Sequence, residues 1–280
     1  MILEKAINNA TWILRKNNIN TAQLDSEILM SSIMEKSRKF VLLNPNYHLE
    51  DRKFKNFKKL IRSRSLGKPI AYLTGKKDFW KHEFKINNDV LVPRPDTELI
   101  IEEVLKLFKN KNKLQILDIG VGSGCILLSI LSEKKKFKGV GIDISKKSLE
   151  LCKINALDLG LNKRVKFFKS DVDNFDYGKY DLIVSNPPYI SRLKLRYLDR
   201  DVINFEPKIA LNGGIDGLSE IRKVINKSSE LIKKNGKFFL EVGCDQKNKV
   251  KNILKNKGFF VNKVIKDLAN NDRCIISTKI

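Results

Sequence analysis

From Ile2 to about Gly67 the apolar positions recur at helical spacing, with Leu3, Ile7, Ala10 and Leu14 on one stripe and Leu24, Ile28 and Leu29 beginning the next. This pattern predicts a small helical domain. Thr21 followed by Leu24 and Asp25 reads as a helix start. Gly67 with Pro69 closes a basic helix that carries Lys55, Lys58, Lys59, Arg62 and Arg64, whose charged side reads as a solvated face. Between 78 and 92 the period changes. Phe79, Trp80, Phe84, Ile86, Val90 and Leu91, with Asn87-Asn88-Asp89 among them, predict a short hairpin that serves as a linker.

From Leu114 onward strand-like runs alternate with helical ones, the pattern of a parallel sheet with helices on both faces. The expected strands are Gln115 to Ile119, Gly139 to Ile144, Val165 to Ser170, Asp181 to Ser185 and Lys237 to Val242. Two further runs, Phe259 to Ile265 and Arg273 to Thr278, are joined by so short a link that they are expected to pair antiparallel. The fold class is therefore α/β, with an N-terminal helical domain over 1–75, a hairpin linker over 76–93 and the sheet domain over 94–280.

The formal net charge of +23 changes the picture only in part. It fits contact with nucleic acid, the ribosome or an acidic protein surface. It also fits the codon skew of an A+T-rich genome, because the lysines sit among asparagines and isoleucines, and both explanations stay open. Cys125, Cys152, Cys244 and Cys274 form no C-x-x-C pair, so neither a disulfide framework nor a zinc site is expected, and a reducing cytoplasm fits. Glu4 and Asn8 interrupt any signal-peptide core, and no apolar run approaches the ~20 residues of a membrane span. With only His48 and His82 present, a histidine triad or a His-rich metal centre is not expected.

The first strand of the sheet domain runs into Asp118-Ile119-Gly120-Val121-Gly122-Ser123-Gly124, and a helix is expected from Cys125. Glycines let the backbone turn tightly and approach a ligand, and a helix start offers free N–H groups. The next strand ends at Asp143, which can accept from both hydroxyls of a ribose. A nucleoside-containing cofactor follows. Cys125 stands where a dinucleotide fingerprint starting at Gly120 needs glycine or alanine, whereas G-x-G-x-G resembles the first motif of S-adenosylmethionine-dependent methyltransferases.

Asn186-Pro187-Pro188-Tyr189 follows the apolar run Asp181 to Ser185, so it is expected at the same crevice. The prolines remove N–H donors and leave carbonyls, Asn186 adds a side-chain acceptor, and Tyr189 adds a flat face. Such a set suits a planar group bearing an NH2, gripped by Asn186 and the Pro187 carbonyl. An amide or nucleobase nitrogen is a poor nucleophile, because its lone pair is delocalised. Acceptors on both hydrogens raise its electron density and fix its line of attack on a methyl sulfonium.

Gly67 to Gly75, Phe79-Trp80, Pro93-Arg94-Pro95-Asp96-Thr97-Glu98, the glycine loop, Asn186 to Tyr189, and Phe205-Glu206-Pro207 with Ala210-Leu211 together resemble the HemK/PrmC-type peptide chain release factor N5-glutamine methyltransferases. The resemblance implies a Rossmann-like S-adenosylmethionine-dependent methyltransferase sheet. It also implies methylation of the glutamine amide in the Gly-Gly-Gln motif of bacterial class 1 release factors. It further implies that Gly120, Val121, Gly122, Ser123, Gly124 and Asp143 bind S-adenosylmethionine and that Asp171 and Val172 line its adenine. Asn186, Pro187, Pro188 and Tyr189 would hold the substrate, with Asn186, Pro187 and Tyr189 catalytic and Asn186 also touching the cofactor. Val121 replaces the usual loop threonine, which matters little if backbone N–H groups bind. By the same resemblance the N-terminal domain recognises the release factor away from the glutamine. Two other readings compete: an N-methyltransferase acting on an exocyclic amine of adenine or cytosine in RNA or DNA, and a non-catalytic ribosome-binding protein. Nucleic acid or ribosome contact is not required by the first reading.

Overall fold

Apolar side chains at helical spacing give the N-terminal unit its helices, α1 (Leu3–Lys16), α2 (Ala22–Met34), α3 (Arg38–Leu43), α4 (Asp51–Ser65) and α5 (Ile70–Thr74). A computed structural model describes all residues, 1–280. It comprises two units: Met1–Lys76 with Asp199–Phe205, and Lys77–Leu198 with Glu206–Ile280. In the first, Leu3, Leu14, Leu29, Met30, Val41, Phe57 and Ile61 form the core. Leu24, expected on the apolar stripe, faces solvent, while Asp25 and Glu27 are buried. Ion pairs explain the reversal. Arg64 Nε lies 2.7 Å from Asp25 and Arg38 Nε lies 2.7 Å from Glu27. Arg64 is thus no part of a solvated basic face: it is buried and also donates to the carbonyls of Gly67 and Lys68.

The second unit begins with a two-stranded hairpin, β1 (Lys76–Phe79) and β2 (His82–Lys85). Its turn is at Trp80-Lys81, not at Asn87-Asn88-Asp89, which form a separate turn beyond it. Trp80 adopts a left-handed φ of 56°. That conformation is unfavourable for a bulky residue and is held by tertiary bonds: Trp80 N donates to Glu98 at 2.8 Å and its indole N–H to Glu133 at 2.9 Å. His82 bonds Ser132, and the Lys85 backbone exchanges bonds with the Asn155 side chain. The stretch expected as a linker is therefore packed into this unit.

After α6 (Glu98–Leu107) the chain alternates: β3 (Gln115–Ile119), α7 (Cys125–Glu133), β4 (Lys138–Asp143), α8 (Lys146–Asp158), β5 (Val165–Lys169), β6 (Tyr180–Ser185), α9 (Arg200–Phe205), α10 (Ser219–Leu231), β7 (Ile232–Glu241), α11 (Lys247–Asn256), β8 (Phe259–Lys266) and β9 (Asp272–Lys279). The seven-stranded sheet has the order β5-β4-β3-β6-β7-β9-β8, parallel from β5 to β7 and antiparallel at β9 and β8, as the short final link requires. Being covered on both faces, the inner strands read as continuous apolar runs; Leu182, Ile183 and Val184 of β6 are fully buried. The chain leaves β3 toward β4 on one side and later returns to β6 on the other. That reversal opens a crevice at the carboxyl ends of β3, β4 and β6. Among the helices, α9 belongs to the first unit although its sequence neighbours belong to the second.

Candidate active site

A cavity of about 500 Å³ fills that crevice. Gly120, Val121, Gly122, Ser123, Asp143, Asp171, Val172, Asn186, Pro187 and Pro188 line it, so ten of the sequence-derived site residues converge there. Gly124 and Tyr189 do not line it. Gly124, at φ 85°, caps α7, where an added Cβ would lie 2.6 Å from Cys152 Sγ. A side chain at this position has no room in the packing. Tyr189 turns its ring onto the buried core and its hydroxyl toward Glu241, so its flat face is not presented to the cavity.

The glycine loop departs from expectation in one respect. The N–H groups of Gly120 and Val121 both donate to the Ile142 carbonyl at 2.9 Å, Gly124 N donates to the Val121 carbonyl at 2.8 Å, and Gly122 N donates to Asp143 Oδ2 at 3.0 Å. These four donors are consumed within the protein. The loop offers close backbone approach at Gly120 and Gly122, whose φ values of 76° and 55° suit residues without a side chain. Val121 packs inward against Gly141, which explains why its side chain is apolar.

Asp143 accepts from Gly122 N on one oxygen and from Ser145 N, at 2.8 Å, on the other. Each oxygen keeps a lone pair, and burial raises the carboxyl's pKa. Below the loop, Asp118 is 1% exposed and neither of its oxygens has a hydrogen-bond partner. Burial pushes its pKa up to about 8, with the nearby Leu127 backbone N–H opposing the rise and the Asp143 charge adding to it. Ile144 and Val172 add apolar wall beside Asp143 and Asp171. Together these features fit a ligand with a vicinal diol and a flat base.

Asn186 Nδ2 donates to Thr97 Oγ1 at 3.2 Å, so its carbonyl oxygen is the end left for a ligand. Thr97 Oγ1 donates to Glu241 Oε2 at 2.7 Å, and the Tyr189 hydroxyl donates to Glu241 Oε1 at 3.3 Å. Glu241 is 1% exposed. Burial raises its pKa to about 7, and the Thr97 bond, the Arg273 charge and the Tyr189 bond hold it from rising further. Gln246 ties down the same segment: Nε2 donates to the carbonyls of Tyr189 (2.8 Å) and Gly217 (2.9 Å) while Oε1 accepts from Gly243 N (2.9 Å). On the opposite wall Arg94 lies 2.5 Å from Glu206, which also accepts from Val92 N. The Pro-Arg-Pro-Asp-Thr-Glu and Phe-Glu-Pro segments thus meet at one ion pair.

Sequence reasoning missed Thr97, Glu241, Gln246 and Ile144 as site residues. A signal for Glu241 was present, since an acid ends the apolar run Phe238-Phe239-Leu240 as Asp143 ends its own strand.

Residues 5–75 match the family model described as PrmC N-terminal domain, and residues 96–206 match the one described as Methyltransferase small domain. The chain is 38% identical to a release factor glutamine methyltransferase of Clostridium botulinum, covering 100% of both chains. To the protein of that name from Clostridium acetobutylicum it is 36% identical, covering 100% of this chain and 99% of that one. Among solved structures, a methyltransferase from Pyrococcus furiosus superposes with a TM-score of 0.53 at 21% identity, over 70% of this chain and 88% of that one, a likeness of fold.

Proposed function

Because this chain belongs to the release factor glutamine methyltransferase family, we propose that Asn186 and the Pro187 carbonyl grip the side-chain amide of the substrate glutamine. The enzyme transfers a methyl group from S-adenosylmethionine to a glutamine of a peptide chain release factor. The observation that carries the residue assignment is the Asn186–Thr97 bond, which occupies the Asn186 NH2 and leaves its carbonyl oxygen to accept from a ligand. The substrate is the glutamine of a Gly-Gly-Gln motif in bacterial class 1 factors. Recognition away from that glutamine falls to the N-terminal helical unit, a role supported by the family match over 5–75.

S-Adenosylmethionine supplies a methyl group on a sulfonium, which leaves as a neutral thioether. Asp143, with a free lone pair on each oxygen, would accept from the ribose hydroxyls, and Asp171, Val172 and Ile144 would border the adenine. Asn186 and Pro187 do the remaining work on the amide. By accepting both N–H bonds they concentrate electron density on the nitrogen and hold it in line with the reacting carbon. The methylated nitrogen is a strongly acidic cation, so water suffices to remove its proton. This explains why the site is built from acceptors, with no histidine in its wall.

No helix is long and apolar enough to cross a membrane. The cytoplasm, where release factors act and where Cys125, Cys152, Cys244 and Cys274 remain free thiols, is the compartment this reading requires. The test is incubation with radiolabelled S-adenosylmethionine and release factor, bare RNA or DNA in parallel. Label in the release factor alone is expected, and label in a nucleic acid alone would replace this reading with the base-amine one.

A further inference from the structure

Asn186 can read a substrate amide only if its own amide is held one way round, because the two ends of a carboxamide have nearly the same shape and opposite hydrogen-bonding character. The structure supplies the means behind it. Ser185 on β6 is level with Leu240 on β7, so Asn186 and Glu241, one residue further along each strand, stand side by side at the carboxyl edge. Thr97, from the turn before α6, sits between them and bonds both. Thr97 and Glu241 are 2% and 1% exposed, so water does not compete for these bonds.

The polarity of this chain follows from chemistry. Each oxygen of Glu241 faces a hydroxyl, Thr97 on one and Tyr189 on the other, which is the arrangement an acceptor-only carboxylate satisfies. Arg273, itself paired with Asp267 at 2.8 Å and Asp96 at 3.4 Å, opposes in part the burial that disfavours that charge. With Glu241 ionised, the Thr97 proton is therefore committed to it. What Thr97 Oγ1 has left for Asn186 is a lone pair, and only the NH2 end of Asn186 can use it.

We propose that Glu241, acting through Thr97, sets the orientation of the Asn186 amide and so makes the site select a carboxamide substrate over a carboxylate. With the carbonyl oxygen toward the cavity, Asn186 accepts from a glutamine NH2 and opposes the oxygens of a glutamate. Turned over, it would present two donors, repelling the NH2 and receiving the carboxylate. Thr97 and Glu241 are positioning residues in this scheme. The inference rests on the reading that Asn186 contacts the substrate amide.

The experiment uses the full-length enzyme with two ligands, a release factor bearing its acceptor glutamine and the same factor with glutamate at that position as a competitive inhibitor. Turnover, KM and the inhibition constant are measured for Thr97→Val, Thr97→Ser, Glu241→Gln and Asn186→Ala, with S-adenosylmethionine affinity as the gauge of folding. Thr97→Val keeps the shape and loses the hydroxyl. It is expected to lower turnover, and the preference for glutamine over glutamate, by about tenfold each, the scale of one hydrogen bond, with cofactor affinity unchanged. Thr97→Ser restores both. Glu241→Gln, which can face Thr97 with either an acceptor or a donor, is expected to lose part of the preference, and it carries the test if Thr97→Val does not bind cofactor. Wild-type preference in whichever of the two variants binds cofactor would overturn the inference, as would a loss of turnover with the preference intact. Asn186→Ala separates the two levels. If it acts like wild type, the underlying assignment of Asn186 fails and takes the inference with it. If it loses turnover while Thr97→Val keeps the preference, only the inference fails.

Discussion

Burial leaves Asp118 with a carboxyl that holds its proton to about pH 8, against an ordinary value of 3.8. The sign of its effect on stability follows. The folded state binds this proton more tightly than the unfolded chain, so the stabilisation is complete below about pH 4 and is lost as pH rises through about 8. The unliganded enzyme is expected to show a Tm that declines over this window, with Asp118→Asn, which cannot ionise, declining less. Thermal unfolding at a series of pH values checks this, and equal slopes for the two proteins would contradict it. At this scale the sequence was partly legible. Asp143 and Asn186 could be found because each follows a strand-like run and belongs to a local motif. Glu241 also ends such a run, but its importance depends on lying level with Asn186 across two strands far apart in the chain. The fate of the Gly120 and Val121 N–H groups was equally hidden, since their acceptor, the Ile142 carbonyl, comes from a neighbouring strand.

Among the elements, the strands were legible because inner parallel strands are buried on both faces and must be apolar throughout. The helical face of α2 and the hairpin turn were not. Leu24 turns outward because Asp25 and Glu27 meet arginines from α4 and α3, and Trp80 holds a left-handed turn because α6 and α7 receive its two N–H groups. Both outcomes are decided by tertiary partners that outweigh local preference. Gln246 shows how one element fixes another. At the start of α11 it satisfies Tyr189, Gly217 and Gly243 at once. Gln246→Ala leaves those buried backbone groups unpaired and is expected to lower stability by about 2–3 kcal/mol. Urea unfolding should show a lower midpoint with an unchanged slope; an unchanged midpoint would mean that the segment after Asn186 does not depend on this side chain.

For the whole molecule, the sheet order brings the ends of β3, β4 and β6 together, so residues from 89 to 224 line one cavity. The net charge of +23 is a property of the same scale. Lys55, Lys58 and Lys59 are exposed on α4 and could steer an acidic partner. Reversing the three to glutamate is expected to slow association with release factor at low salt and to lose its effect at high salt, because the Debye length is only ~8 Å at physiological ionic strength. Wild-type kinetics at every salt concentration would leave the charge to codon usage. Methyl transfer as proposed depends on Asn186 gripping the amide that is methylated. Single-turnover methylation of a release factor at saturating S-adenosylmethionine, by wild type and by Asn186→Ala, tests this most directly. The variant is expected to bind the cofactor normally and to turn over roughly 10²–10³-fold more slowly, the loss seen when one group is removed from a preorganised site; Asn186→Ala turning over as fast as wild type would contradict the account.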